Sequence, residues 1–394
     1  MTVQRGNHQL LIIIEYSIIT EKIIFDLNHA INTLMVRKTA VIAITKHGIE
    51  IARRIKENIQ EVKIYVPAKY NVSTSENASD ITWFTEQTTQ LLTNLFKSND
   101  ALICIFSLGA VIRLIAPLLV DKRSDPAVLV IDDKANFVIS ALSGHLGGAN
   151  ALTRLVASFF PNSQPIITTA ADVNETIAVD LIGREFGWRI ENPENVTRVS
   201  AFMVNEEKIA LYQQAGEKNW LPTASLPKNV IVVKNHNEIR SPEFKAALII
   251  SDLLIIDPVI LEKSVIFRPK SLVVGLGLHW DTRKDDIELG IQTVMKDKGL
   301  SFMSIRNISS INREKKIRGL QEFSDHHGIP VETYDKDRLA AVAAPNPSHI
   351  VQKFEGTASV SEASSILSSK GEIIVPKQKF PPNLTVAISR VKFD

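Results

Sequence analysis

From Lys38 onward, short β-branched apolar runs alternate with helical patterns, and this alternation constrains the fold more than any other feature of the chain. Thr39–Thr45, Val62–Val66 and Ala101–Phe106 read as strands, each a brief apolar run bounded by turn residues. Ile51, Ile55 and Ile59 recur every four residues, which lines one face of a helix. Phe84, Leu91, Leu92 and Leu95 give helical spacing to Ile81–Phe96, and the polar Pro67–Asp80 reads as a surface loop. A further helix runs from about Ala110 to Leu119, which Pro117 should bend or end early. Ala127–Ile131 and Phe137–Ala141 are strands joined by a polar turn. A helix burying Leu152, Leu155, Val156 and Phe159 follows, then a strand at Pro165–Thr168. Strands and helices in alternation predict an α/β domain with a largely parallel sheet.

At 394 residues the chain is long for one core. Residues 1–37 form an N-terminal extension, with the apolar run Gln9–Glu15, and 38–172 the first α/β domain. Residues 173–270 read as a small α+β middle domain, with strand-like pieces at Ile209–Tyr212, Val230–Val233 and Ala247–Ile250 and a linker at Pro269-Lys270. Residues 271–394 read as a C-terminal α/β domain. There Ser271–Gly277 is a strand ending in glycines. Thr282 three residues before Asp285 approximates a capping box, Ile287, Ile291, Val294 and Met295 share a helix face, and Gly299 suits the helix end. Strands at Phe302–Ile308 and Val331–Tyr334 flank a second helix, Pro347-Ser348 opens a third, and Ile373–Val375 and Thr385–Ile388 close the domain.

Composition excludes several classes. A net charge of +2 gives no support for nucleic-acid binding. The single cysteine, Cys104, rules out an internal disulfide and a cysteine-rich zinc site, and its apolar setting makes it a core residue. The apolar run Leu108–Val120 is broken by Arg113 and is too short to span a membrane. No signal-peptide cleavage pattern follows the opening segment, so a cytoplasmic location is the default expectation.

The chemistry concentrates between Arg113 and Asn150. Ser143-Gly144-His145-Leu146-Gly147-Gly148-Ala149-Asn150 sets glycines just before a helix, where backbone N–H groups and the helix dipole suit a carboxylate or phosphate. Ser143 and Asn150 would add hydrogen bonds, and His145 a base or polar contact. The alternative is a turn whose glycines only permit tight packing, with a structural histidine. The turn matches neither the P-loop nor the dinucleotide fingerprint. Asp121, Lys122, Arg123 and Asp125 crowd a helix end, as anchors for carboxylates or as ordinary dipole partners. Arg113, within an apolar helix, must snorkel, pair or face a cleft. Thr168 and Thr169 end a strand, where ligands of open α/β sheets bind, and Thr45-Lys46-His47-Gly48 occupies the same topological position after the first strand; both also read as helix caps. His326-His327 lacks metal-pair spacing and reads as solvated. Glu362 with Ser359 reads as a helix start.

Gly109-Ala110-Val111-Ile112-Arg113-Leu114-Ile115-Ala116-Pro117-Leu118-Leu119, then Asp121-Lys122, Asp125-Pro126-Ala127-Val128 and Ser143–Asn150, resemble the cobalt-precorrin-5A hydrolases, the CbiG family. The likeness continues through Pro165–Ala170 and Asp172-Val173 and extends in outline to Val391. It is weaker at the C-terminal motifs: Gly275-Leu276-Gly277 continues as Leu278-His279-Trp280-Asp281-Thr282 instead of Cys-Arg, and Asn312, Glu314 and Ile317 stand where the family has Asp, Lys and Glu. Gly356–Ala363 keeps part of a third motif.

The resemblance implies opening of the δ-lactone of a cobalt-bearing tetrapyrrole with release of acetaldehyde. For that reaction the sequence itself offers His145 as base, oriented by Asp121 or Asp125, with Ser143 beside it. Backbone N–H groups near Gly144, Gly147 and Gly148 would hold an oxyanion or carboxylate. Arg113, Lys122, Arg123, Asn150, Thr168 and Thr169 would grip the acetate and propionate arms. No cofactor or protein metal is implied, since the cobalt belongs to the substrate. The expected partners are the tetrapyrrole, neighbouring pathway methyltransferases and a second copy in a homodimer, with no nucleic acid and no membrane. A non-catalytic corrinoid carrier and a phosphate-ester or nucleotide enzyme are the alternatives.

Overall fold

The computed structural model describes residues 38–59, 61–71, 81–121, 124–145, 147–169, 176–221, 226–348 and 357–393. The N-terminal extension, most of the Pro67–Asp80 loop, Lys122, Arg123, Leu146 and Asp172 lie outside them. The chain divides into two compact units, Met1–Leu181 and Ile182–Asp394.

The first unit holds a seven-stranded sheet in the order β3-β2-β1-β4-β5-β6-β7. Its strands are β1 (Thr39–Ala43), β2 (Lys63–Pro67), β3 (Ile81–Phe84), β4 (Ala101–Ile105), β5 (Ala127–Ile131), β6 (Phe137–Leu142) and β7 (Gln164–Ile166). The first five are parallel; β6 turns back antiparallel to β5, and β7 runs parallel to β6. Because strand side chains alternate, each strand feeds two cores. Val41, Ile103 and Leu129 pack under helices α1 (Lys46–Asn58) and α4 (Ala149–Ser158). Ile42, Cys104 and Val130 pack under α2 (Thr88–Ser98) and α3 (Leu108–Ile115). Burial on both faces explains the continuous apolar runs. Each fully buried aliphatic side chain contributes about 1.5–3 kcal/mol.

One reading in this unit is corrected and one is borne out. Ile81–Phe84 is a strand, and the helix starts only at Thr88. Phe84 is shared by both periodicities, and pairing of β3 with β2 decides the matter. The helix through Arg113 does stop at Ile115, where a 3-10 turn carrying Pro117 takes over.

The second unit contains two five-stranded sheets. The first joins β8 (Arg189–Ile190), β9 (Ile209–Gln213), β10 (Val230–Val232), β11 (Ala246–Ile250) and β12 (Ser264–Arg268) in the order β10-β9-β11-β12-β8, and is parallel except for the two-residue edge strand β8. Helices α5 (Val196–Val204) and α6 (Pro258–Lys263) accompany it. This stretch is therefore α/β rather than α+β. β12 hides in the sequence because it runs directly into Pro269-Lys270. That pair is no free linker: the half-buried Lys270 ammonium donates to the carbonyls of Met303 (2.9 Å) and Ile305 (3.1 Å).

The last sheet is mixed and joins β13 (Leu272–Leu278), β14 (Ile305–Ile311), β15 (Val331–Tyr334), β16 (Ile373–Phe380) and β17 (Leu384–Arg390) in the order β15-β14-β13-β17-β16. Leu272, Val274, Leu276 and Leu278 of β13 face α7 (Lys284–Asp297) and α8 (Arg318–His327). On the opposite face Gly275 and Gly277 let helix α10 (Val360–Ser369) approach; a Cβ on Gly275 would lie 1.9 Å from the Ser361 carbonyl oxygen. Gly299 follows α7 with φ +61°, as its position suggested. Thr282 does not cap α7, because its hydroxyl binds the carbonyls of His279 (3.0 Å) and Asn383 (3.1 Å). Phe302–Ser304 is a 3-10 turn, so the strand begins at Ile305. The helix read from Pro347-Ser348 falls on residues 349–356, outside the described residues; α10 begins at Val360, and the short α9 (Lys336–Ala340) lies before that stretch. Glu362, in the first turn of α10, is buried and accepts from the Asn346 and Lys377 backbone N–H groups (both 3.0 Å). His326 is exposed as expected, but His327 is half-buried against Phe302 and Phe323.

Candidate active site

The reversal at β6 decides where the glycine-rich turn lies. β6 runs against β5, with Leu142 opposite Val128, so the turn emerges where the five parallel strands begin. β7 follows β6, which brings Thr168 and Thr169 to that same edge. Thr45-Lys46-His47 lies at the opposite edge, after β1. The two threonine turns expected to be topologically equivalent are therefore on opposite sides of the sheet.

The turn itself is held from within. Gly148 donates to the His145 carbonyl (2.9 Å), Ala149 to Ser143 (3.2 Å) and Asn150 to Gly144 (2.9 Å). The Gly148 N–H is therefore engaged in the fold, against the expectation that it receives an oxyanion. The glycines have steric reasons: Gly148 has φ +80°, and a Cβ on Gly147 would lie 2.3 Å from the Ser143 Cβ. Ser143 itself has φ +56°, a conformation that costs a non-glycine residue ~1–3 kcal/mol. Its hydroxyl, donated to the Asp125 carbonyl (2.9 Å), ties the turn to the start of β5.

Asn150 is buried, and both ends of its amide are used. Oδ1 accepts from Ser140 (2.6 Å) and Nδ2 donates to Thr169 (3.0 Å). It staples β6, α4 and the end of β7, a positioning role where substrate contact was expected. Thr169 shares that staple, and Thr168 is exposed beside it.

His145 is half-buried, with 18% side-chain exposure, and its Nδ1 lies 3.8 Å from Oδ1 of Asp180. Asp180 belongs to a 3-10 turn, Val179–Leu181. Sequence reasoning missed it; the available signal was a lone acid inside the apolar stretch Ile177–Ile182. Asp125, proposed as orienting acid, instead closes its own loop by accepting from the Val120 N–H (3.1 and 3.2 Å). Asp121 is exposed near this loop. Arg113 is exposed, and its guanidinium returns to its own helix at the Gly109 carbonyl (3.2 Å). The structure thus groups Asp125, Ser143, Gly144, His145, Gly147, Gly148, Asn150, Thr168 and Thr169, adds Asp180, and gives Arg113 no hydrogen bond to them.

At the opposite edge, the Thr45 hydroxyl and Nδ1 of His47 (3.2 Å) both engage Asp133. The Thr45 hydrogen bond is the main reason the Asp133 carboxyl sits below the usual carboxylate range; slight burial opposes it, and His47 adds to it. Thr45 also caps α1 by accepting from Gly48 (2.9 Å). This cluster is largely exposed.

At 3.8 Å from Nδ1, the Asp180 carboxylate is an ionic neighbour of the imidazole, beyond hydrogen-bond reach. Among the described residues no group of His, Cys, Asp and Glu is placed to hold a metal ion.

Three family models match in chain order. They are described as Cobalamin synthesis G N-terminal (residues 90–172), Cobalamin biosynthesis central region (177–269) and Cobalamin synthesis G C-terminus (272–389). A Priestia megaterium protein named cobalt-precorrin-5A hydrolase is 40% identical over 358 residues, covering 90% of this chain and 95% of its own. A Salmonella typhimurium protein of the same name is 32% identical over 284 residues, covering 71% and 79%. The crystal structure of a cobalamin biosynthesis protein G homologue from Sulfolobus solfataricus covers 90% of this chain and 97% of its own, at 21% identity and a TM-score of 0.35.

Proposed function

This chain belongs to the cobalamin synthesis G family, and from that premise we propose that it is a cobalt-precorrin-5A hydrolase. The observation that carries the reading is the 40% identity, over nearly the whole of both chains, to a relative of that name. The substrate is a cobalt-bearing tetrapyrrole, and the cobalt is its own.

The reaction begins at the lactone carbonyl. His145 takes a proton from water, and the hydroxide adds to the carbonyl carbon. Collapse of the tetrahedral intermediate breaks the ester C–O bond, leaving a carboxylate on the macrocycle and a hydroxyl on the two-carbon fragment. Loss of that hydroxyl proton turns its C–O into C=O. The bond from the fragment to the ring breaks, its electron pair stays with the macrocycle, and acetaldehyde departs. Asp180 favours the imidazolium form of His145 during the first step. Lys122 and Arg123 are proposed to balance the developing oxyanion and the peripheral carboxylates, since cationic donors bind carboxylates strongly. Arg113 is proposed as an anchor for a propionate arm. A homodimer and a neighbouring methyltransferase remain proposed partners, in the cytoplasm; no described helix is long and apolar enough to cross a membrane.

The test is kinetic. His145→Ala should lower lactone opening by roughly 10²-fold or more, with KM changed far less than kcat. Asp180→Asn should cause a smaller loss in kcat. Near-normal turnover in a folded His145→Ala variant would remove His145 from the mechanism.

A further inference from the structure

We propose that His279, at the carboxyl end of β13, is an axial ligand for the cobalt of a tetrapyrrole, giving the second unit its own macrocycle-binding site. The inference rests on the substrate class proposed above.

The imidazole is held as metal-binding histidines are held. Nδ1 lies 2.6 Å from Oδ1 of Asp281, and that oxygen also accepts from Asn383 Nδ2 (3.1 Å). A carboxylate on one ring nitrogen fixes the tautomer and makes the other nitrogen a better ligand. The backbone is fixed as well: the His279 N–H lies 3.0 Å from the Thr282 hydroxyl and 3.1 Å from the Asn383 carbonyl. Nε2 has no hydrogen-bond partner among the described residues, and the side chain is 55% exposed.

Number of ligands separates a cobalt macrocycle from a bare ion. A bare cation needs three or more protein ligands, and the described residues offer no such cluster. A tetrapyrrole already supplies four equatorial nitrogens, so only axial positions remain and one well-oriented imidazole suffices. The surroundings suit a flat polycarboxylate. Trp280, 65% exposed, stands beside the imidazole with ring centroids 5.7 Å apart. So large an exposed aromatic surface is available to an apolar macrocycle face. Arg313, half-buried, reaches the carbonyl of the preceding residue, Leu278 (3.2 Å), bringing a cation to the same strand end for a carboxylate arm.

His47 has a similar carboxylate contact but at 3.2 Å, on an acid shared with Thr45, and has no ring neighbour among the described residues. His145 is only 18% exposed. Of these three, His279 is the best placed to meet a macrocycle face.

The experiment titrates the untagged full chain into diaquocobinamide, a cobalt corrin whose axial waters exchange, and follows the corrin absorption bands. Exchange of water for imidazole nitrogen should shift the bands at one equivalent. His279→Ala and His279→Gln should abolish the shift, whereas His47→Ala and His145→Ala should retain it. Asp281→Asn should weaken binding about 10–100-fold. Trp280→Ala should weaken binding yet reach the same end-point spectrum. A full shift in folded His279→Ala, or none in the wild-type chain, overturns the proposal. Neither result touches the hydrolase reading, which acetaldehyde release tests separately.

Discussion

Cys104 has no exposure within β4, and burial pushes its thiol up to about 12, so it carries no appreciable thiolate near neutral pH. Iodoacetamide should leave it unmodified in the native chain and alkylate it fully in denaturant, as read by intact mass; rapid native labelling would contradict this placement. Gly147 is constrained by the turn instead. Gly147→Ala places a methyl against the Ser143 side chain and carbonyl, and should destabilise the first unit by about 1–3 kcal/mol, measured by denaturant unfolding. An unchanged stability would mean the turn relaxes freely. At this scale the sequence was informative about residue types and less so about their partners. The glycines and His145 stood out because the local pattern is dense. The partner of His145, Asp180, lies 35 positions further along and only the fold brings it close. Asn150 looked like a ligand contact because nothing in sequence reveals that Ser140 and Thr169 use its amide.

Elements were legible where both faces of a strand are buried. β1, β4 and β5 of the first unit show as apolar runs for that reason. α10 was harder to read, because its buried face carries serines: Ser364 bonds Ser309 (3.2 Å) and Ser365 bonds Ser389 (2.8 Å), which hydrophobic periodicity does not register. Within the second unit an ion pair between a buried carboxylate and a part-exposed guanidinium joins elements far apart in sequence. Arg390 of β17 (Leu384–Arg390) donates from Nε (2.8 Å) and Nη2 (2.9 Å) to Asp252, just after β11 (Ala246–Ile250), and Ser271 adds a third bond (2.8 Å). Asp252→Ala leaves the Arg390 guanidinium without its carboxylate and should cost about 3–5 kcal/mol; a loss below about 1 kcal/mol in urea unfolding would show that water replaces the pair. Lys270 gives this region a pH dependence. Burial first, then the Arg189 charge, lowers its amine to about 8. The unfolded chain therefore binds this proton more tightly, so the contribution to stability rises with pH between about 8 and about 10.4. The stability difference between wild type and Lys270→Met should shift toward wild type over that window; a flat difference would refute the assignment.

For the whole molecule, alternation of strands and helices announced α/β architecture, and the largely parallel first sheet follows it. The direction of β6 did not announce itself, yet it sets the candidate active site at the edge where the parallel strands start. In the middle stretch the strands at Ile209–Gln213, Val230–Val232 and Ala246–Ile250 were legible to within a residue, and β12 was not, because it runs straight into Pro269-Lys270. Family membership came from ordered motifs, which carry information that periodicity lacks. The central claim is that this protein opens the lactone of a cobalt tetrapyrrole. Its most direct test incubates the purified chain with cobalt-precorrin-5A and measures acetaldehyde against the mass of the macrocycle. One acetaldehyde should appear per macrocycle, with the matching loss of a two-carbon fragment. An unchanged macrocycle that merely co-purifies with the folded chain would contradict hydrolysis and leave a carrier in its place.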